Sequence, residues 1–291
     1  MTLAVRRGEA FGLVGPDGAG KTTLMRLLVG IMDPDAGEAR VLGYHTVSQA
    51  EELKEHIGYM PQRFGLYDDL TVRENLLFYF DLYGVPRRVR EERLPGLLAF
   101  AGLAPFQERL AGQLSGGMRQ KLGLICALCH RPRVLFLDEP TFGVDPVSRR
   151  EFWEILQRLL QEGVTIFLST AYLDEAERAH RVGLLHDGRL LAVDTPEGLK
   201  AAFVGELLEV RAGNLRQARE LLTQAPGVQQ VLTRGDHLTV TVPRAQEAAP
   251  ALHRLLETAG LGPVAVNPTE PALEDCFVQL VRRQGKDAEE G

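Results

Sequence analysis

The eight residues Gly15-Pro16-Asp17-Gly18-Ala19-Gly20-Lys21-Thr22 constrain this chain more than any other segment. They satisfy G-x-x-x-x-G-K-[ST] in the required context: after EAFGLV, which reads as a strand, and at the start of KTTLMRLLVG, which reads as a helix. A loop of this kind binds anions. Its glycines let backbone N–H groups approach a phosphate, and the helix start adds partial positive charge. Lys21 neutralises β- and γ-phosphate oxygens, and the Thr22 hydroxyl coordinates Mg²⁺.

A nucleotide held there calls for a metal-binding carboxylate at the C-terminal end of a neighbouring buried strand. Val134-Leu135-Phe136-Leu137-Asp138-Glu139 supplies Asp138 for Mg²⁺ and Glu139 to polarise an attacking water as general base. The runs Val134 to Leu137 and Val164 to Leu168 are apolar at consecutive positions, as in strands covered on both faces of a parallel sheet. Strand and helix patterns alternate to about residue 200, so the expected fold is α/β, of P-loop NTPase type.

Residues 71 to 129 interrupt the alternation with helices only: one opens on the capping box Thr71-Val72-Arg73-Glu74 and runs to Gly84, and another spans Arg90 to Gly102. Beyond Thr195-Pro196-Glu197-Gly198 and a helix, the order is strand (Glu206 to Val210), helix (Leu215 to Gln224) and two strands (Val228 to Thr233, His237 to Val242). A helix (Gln246 to Ala259) and a strand (Val264 to Val266) complete it. This βαββαβ order predicts a small α+β, ferredoxin-like domain closed by a helix from Glu270 to Arg283. The expected domains are 1–204 and 205–285, with a disordered polar tail over 286–291. The second domain holds no candidate catalytic cluster, which points to dimer contact or regulation.

Composition narrows the partners. With 39 acidic against 33 basic residues the net charge is -6, so no global basic field draws the chain to nucleic acid. No uninterrupted apolar run approaches the ~18 residues of a membrane span, and the start does not read as a signal peptide. The expected compartment is the cytoplasm. Cys126, Cys129 and His130 spell C-x-x-C-H, but within GMRQKLGLICALCHRP, which reads as one amphipathic helix, the cysteines read as buried thiols rather than a haem or redox site.

The N-K-x-D motif of GTPases is absent. Leu114-Ser115-Gly116-Gly117-Met118 instead sets a capping hydroxyl and two glycines at a helix start, implying a second phosphate-binding end. In the order GPDGAGKT, YMPQ, LSGGM, VLFLDEP and GVDP, residues 3 to 200 resemble the ATP-binding cassette (ABC) ATPases. The resemblance implies ATP with Mg²⁺, bound by Gly15, Pro16, Asp17, Gly18, Ala19, Gly20, Lys21, Thr22 and Thr23. It also implies that two cassettes pair head to tail, with Ser115, Gly116 and Gly117 of one closing on the γ-phosphate held by the other. Gln62 matches the glutamine that senses Mg²⁺ and the attacking water, which adds it to Thr22 and Asp138 around the metal and to Glu139 in catalysis. Asp145 matches the aspartate that crosses the dimer interface.

The chain departs from the family pattern twice. Ala171 stands where a switch histidine contacts the γ-phosphate, which predicts slow hydrolysis at this chain's own site and leaves open a stronger partner site. Only fourteen residues precede Gly15, so the strands carrying the adenine-stacking aromatic are expected to be missing, and Phe11 reads as core.

Phe78, Tyr79, Phe80 and Tyr83 face every side of one helix, so they either pack within the insertion or line a groove for a membrane subunit. FGLYDDLTVRENLLFY, TPEGLK and PALEDCFVQL resemble segments of ATPases that serve multidrug, lipid and polysaccharide exporters. The resemblance implies an ATPase peripheral on the inner face of the cell membrane, driving a separate permease together with a second cassette. A soluble non-transport ABC ATPase and a nucleotide-sensing half with weak hydrolysis remain alternatives.

Overall fold

A computed structural model describes residues 1–289. They form two compact units, one over Met1–Pro196 and one from Glu197 onward.

The first unit is built on β1 (Ala10–Val14), the short pair β2 (Arg40–Val41) and β3 (Tyr44–His45), β4 (Ile57–Met60), β5 (Val134–Asp138), β6 (Thr165–Thr170), β7 (Arg181–His186) and β8 (Arg189–Asp194). Its helices are α1 (Lys21–Leu28), α2 (Ala50–Lys54), α3 (Val72–Leu82), α4 (Arg87–Phe100), α5 (Gly116–Ala127), α6 (Pro146–Gln161) and α7 (Leu173–Ala176). The main sheet runs β4-β5-β6-β1-β7-β8, and all neighbours are parallel except β8, which returns antiparallel to β7. The apolar strands take the centre: every residue of β1, β5 and β6 is buried. Phe11 is 0% exposed and stacks on Phe167 at 5.3 Å, so it is core, as its position in an apolar run implies.

The parallel order puts the C-terminal ends of β1, β5 and β6 side by side, where open α/β sheets form their sites. β8 was not expected from its sequence. It follows Asp187 (φ 45°) and Gly188 (φ 73°), the left-handed pair of a two-residue hairpin, and half-exposed edge residues hide its period.

The helical insertion begins as expected: Thr71 accepts from the Glu74 amide, and the Glu74 carboxylate accepts from the Thr71 amide. Two boundaries differ from expectation. The second helix starts at Arg87 behind Pro86, and α5 stops at Ala127, leaving Cys129 and His130 in the following turn. Arg131 is left-handed there (φ 60°) and Pro132 follows, which ends a helix.

In the second unit, α8 (Pro196–Ala201) is followed by β9 (Glu206–Arg211), α9 (Leu215–Thr223), β10 (Gln230–Arg234), β11 (His237–Val242), α10 (Ala245–Thr258), β12 (Ala265–Thr269) and α11 (Leu273–Glu289). The sheet order β10-β11-β9-β12 is antiparallel throughout, the ferredoxin-like arrangement. Leu208, Val210, Leu238 and Val240 pack under Leu222, Leu252 and Leu256 of the two helices. Of the expected tail, residues 286–289 continue α11, and residues 290–291 lie outside the described residues.

Candidate functional site

The phosphate loop owes its path to three glycines. A Cβ on Gly15 would meet the Leu185 carbonyl oxygen at 2.2 Å, while Gly18 and Gly20 hold φ of 81° and 102°, where side chains are strained. Gly20 also leaves the start of α1 without a side-chain cap, so the helix end has amide donors to offer an anion. Pro16, Asp17, Gly18 and Thr23 are exposed along this loop, Gly20 and Thr22 are half-buried, and Ala19 is enclosed.

Lys21 is almost wholly buried and turns its ammonium into the loop, donating to the carbonyls of Gly15 (2.8 Å) and Pro16 (3.1 Å). The same Nζ lies 2.9 Å from Glu139 Oε1. Gln62 Nε2 donates to the other Glu139 oxygen at 2.9 Å. Two residues from separate segments thus converge on the Glu139 carboxylate.

Glu139 itself adopts φ 48°, an uncommon conformation for a residue with a side chain, and such strain persists only where neighbours impose it. Ser169 imposes it: its carbonyl (3.2 Å) and its Oγ (3.0 Å) both accept from the Glu139 amide. Ser169 Oγ in turn donates to Asp138 Oδ1 at 2.6 Å. The register that sets Ser169 opposite Asp138 was not readable from sequence, although both strands were.

Asp138 is 1% exposed, and its Oδ2 has no hydrogen-bond partner. A buried, unpartnered carboxylate oxygen is costly unless it faces a cation. The Thr22 hydroxyl, half-buried at the start of α1, is an oxygen donor of the same kind, and oxygen donors are what Mg²⁺ prefers.

Gln62 begins a segment that leads into the helical insertion. Phe64 lies against the backbone of Gly123 in α5, where an added Cβ would be 3.2 Å from its ring, and stacks on Tyr79 of α3 at 5.1 Å. Asn75 pins the next stretch, accepting from the Tyr67 amide and donating to the carbonyls of Tyr67, Leu70 and Thr71. Tyr79 and Phe80 are buried and Tyr83 stacks on His130 at 3.9 Å, so these aromatics serve the insertion's own packing. Phe78 and Tyr67 stay at the surface, edge to face at 4.7 Å beside exposed Leu82.

The segment Leu114 to Met118 forms a second group. Ser115 caps α5 by accepting from the Met118 amide at 3.3 Å. Gly117 is buried, and a Cβ there would meet the Ser148 side chain at 2.4 Å, whereas Gly116 faces open space. Ser148 belongs to the first turn of α6, which Asp145 caps by accepting from the amides of Val147 (3.1 Å) and Ser148 (2.9 Å). The Ser148 bonds hold the Asp145 carboxyl below the usual carboxylate range. Asp145 is exposed and flanked by exposed Phe142 and Val147, an apolar surface around an acid. Ala171 is exposed at the end of β6.

Sequence reasoning found Lys21, Glu139, Gln62 and Asp138 but missed Ser169, which binds both the Asp138 carboxylate and the Glu139 backbone amide. Cys126 and Cys129 are buried; burial pushes the Cys126 thiol well up and that of Cys129 up to about 12, so neither offers a thiolate near neutrality.

The comparisons agree with this geometry. Residues 1–142 match the family described as "ABC transporter", and residues 195–281 match "ATP-binding protein DrrA1-3-like, C-terminal domain". The chain is 44% identical over 291 residues to the Escherichia coli K12 protein named "Probable multidrug ABC transporter ATP-binding protein YbhF", covering 98% of this chain and 49% of that one. It therefore spans about half of that relative's length. It is 39% identical to "Nod factor export ATP-binding protein I" of Burkholderia thailandensis, across 99% of this chain and 92% of the relative. Among solved structures, an ATP-binding subunit of an ABC transporter is similar at 32% identity and a TM-score of 0.61, covering 68% of this chain and 83% of the other. A dimeric ATP-binding cassette in a post-hydrolysis state with ADP and Pi follows at 27% identity and a TM-score of 0.60, covering 66% and 88%. Motif order, site geometry and near full-length similarity to the Burkholderia relative converge, and the chain belongs to the ABC transporter ATP-binding proteins.

Proposed function

We infer that this chain binds and hydrolyses ATP, working as one of two paired cassettes that drive a separate membrane permease of exporter type. The observation that carries the reading is the Glu139 carboxylate held between the Lys21 ammonium and the Gln62 amide, each at 2.9 Å. Lys21 has its charge in the phosphate loop and is positioned to exchange Glu139 for phosphate oxygens. Once released, Glu139 takes a proton from water as it attacks, and Gln62 orients that water from the other side. Ser169 keeps both acids in place by fixing the Glu139 backbone and the Asp138 carboxylate. Asp138 Oδ2 and the Thr22 hydroxyl would hold Mg²⁺, which when bound neutralises charge on the β- and γ-phosphates.

Pairing is supported by the acid and apolar side chains exposed around Asp145, and by the Leu114-to-Met118 segment, whose Gly117 is packed on the helix that Asp145 caps. Permease contact is supported by exposed Tyr67, on a loop pinned by Asn75, and by exposed Phe78 and Leu82 of α3, the helix on which Phe64 of the Gln62 segment stacks. Among the described residues no helix is long and apolar enough to cross a membrane, in keeping with a permease on another polypeptide or segment. The relatives named for multidrug and Nod factor export support the exporter reading.

Turnover of the purified chain against protein concentration tests the proposal. Hydrolysis that rises more steeply than linearly, and that vanishes in Glu139→Gln, supports paired active cassettes. Turnover strictly proportional to concentration argues against pairing, and turnover retained in the variant argues against Glu139 as base.

A further inference from the structure

A second carboxylate lies buried beside the Glu139 site without belonging to it. Glu175, in α7, is 2% exposed. Its two oxygens accept from Thr141 Oγ1 at 2.6 and 2.8 Å, and its Oε2 also accepts from Thr170 Oγ1 at 3.1 Å. The Arg149 guanidinium approaches Oε1 with its Nε at 3.2 Å, at an angle that makes an ion pair without a hydrogen bond. Arg149 also lies over the Tyr172 ring at 4.4 Å and 3.8 Å from Asp174. Burial pushes the Glu175 carboxyl above its ordinary range, and the two threonine hydroxyls and Arg149 pull it back.

A buried ion pair is weak evidence for stability, because desolvation offsets much of the attraction. What distinguishes this one is where its partners come from. Thr141 lies two residues after Glu139, in the turn between β5 and α6. Thr170 directly follows Ser169, which holds Asp138 and Glu139. Arg149 lies in the first turn of α6, behind exposed Asp145. Each partner thus adjoins a different working part, and the Glu175 side chain touches all three.

We propose that Glu175 is a positioning residue whose carboxylate clamps Thr141, Thr170 and Arg149, so that Glu139, the Asp138–Ser169 pair and the Asp145 turn move as one piece. The role rests on the hydrolytic reading above and deepens it: contact made at the exposed Asp145 turn reaches the base through Arg149, Glu175 and Thr141. Glu175 acts by holding Glu139 in its strained backbone position. A purely structural Glu175 would lower stability when changed and leave the turnover of folded protein alone.

The test compares wild type with Glu175→Gln, and with Thr141→Val, which removes one clamped hydroxyl at nearly constant shape. The three are measured for kcat, KM for ATP, melting temperature and hydrogen exchange of amides in residues 139–149. The expected result for Glu175→Gln is kcat lower by about tenfold to a hundredfold, the cost of slight misplacement of a catalytic group. KM stays within about twofold because the Lys21 loop is untouched, and exchange in residues 139–149 rises about tenfold as the segment loosens. Combining Glu175→Gln with Glu139→Gln should lower kcat no further than Glu139→Gln alone, since both act through one group. Thr141→Val should show the same pattern in smaller size, and it carries the test if Glu175→Gln does not fold. A kcat within about twofold of wild type, additive losses in the double variant, or unchanged exchange in residues 139–149 would each overturn the proposal. A wild type with no turnover would refute the hydrolytic reading instead, and the exchange result would then decide on the clamp by itself.

Discussion

The Lys21 ammonium and the Glu139 carboxylate, 4% and 8% exposed, form an ion pair of 2.9 Å inside the phosphate loop. Breaking a buried pair by removing one partner leaves the other charged and unpaired, at a cost of about 3–5 kcal/mol. Lys21→Ala is therefore expected to lower the unfolding free energy by about that much, besides abolishing nucleotide binding. Adding Glu139→Gln should restore most of the stability and none of the binding. Denaturant melts with nucleotide titrations measure both, and a Lys21→Ala chain as stable as wild type would show that the pair is not held in solution.

Gly116 and Gly117 are neighbours with opposite demands. A Cβ on Gly117 would meet the Ser148 side chain at 2.4 Å, while one on Gly116 meets nothing within 4 Å. Overpacking of this kind costs about 1–3 kcal/mol, so Gly117→Ala is expected to destabilise by that amount, whereas Gly116→Ala is expected to be neutral or to stabilise by up to about 1 kcal/mol. Thermal melts of the two variants check the contrast, and equal losses would contradict the packing of α5 on α6 described above.

Ala171 is exposed at the end of β6 and carries no group that can donate to a phosphate. If its methyl limits hydrolysis, Ala171→His should raise turnover by about tenfold or more, the worth of one well-placed donor, while Ala171→Ser changes little. Steady-state phosphate release compares the three chains, and unchanged turnover with histidine would remove Ala171 as the cause of slow hydrolysis.

His130 supplies a pH dependence. Its Nε2 lies 2.8 Å from the Ile57 carbonyl, its ring stacks on Tyr83, and its Nδ1 is buried without a partner. Burial holds its pKa below the ordinary histidine value of about 6.5, despite the opposing Ile57 bond and with help from Arg93 and His56. Between the two values the unfolded chain binds more protons than the folded one, so stability rises with pH there. The contribution is complete above about 6.5 and is lost as pH falls through the folded value. His130→Phe keeps a ring against Tyr83 and removes the titration, so its melting temperature should fall less than that of wild type between pH 7 and pH 5. Parallel curves would assign the acid sensitivity elsewhere.

Much of this site was legible because its chemistry is local. The phosphate loop, the Asp138–Glu139 pair and the Ser115 cap each occupy a few consecutive residues, and consecutive apolar residues marked β5 and β6 as strands covered on both faces. The β9 to β12 order was equally plain, since each strand and helix there keeps its own period. What stayed hidden depends on register or on contacts between distant segments. Ser169 gains its role only because β6 pairs with β5 so that it lies opposite Asp138. Glu175 reads in sequence as an ordinary helix-start acid, and only the fold buries it among Thr141, Thr170 and Arg149. Reading α5 through to His130 overlooked the stop that Arg131 and Pro132 impose. Gln62 and Asp145 needed the family resemblance, since one exposed amide and one helix cap carry no signal alone.

Glu139 is shared between holding Lys21 and activating water, and Glu139→Gln separates the two. The variant keeps the shape and the neighbours, frees the Lys21 ammonium for phosphate and removes the base. Calorimetric titration of ATP with Mg²⁺ into both chains, with phosphate release measured on the same samples, tests this most directly. The account predicts ATP bound several-fold to about tenfold more tightly by Glu139→Gln, with turnover lower by about 10²–10⁴. Weaker binding by the variant, or turnover close to wild type, would contradict it.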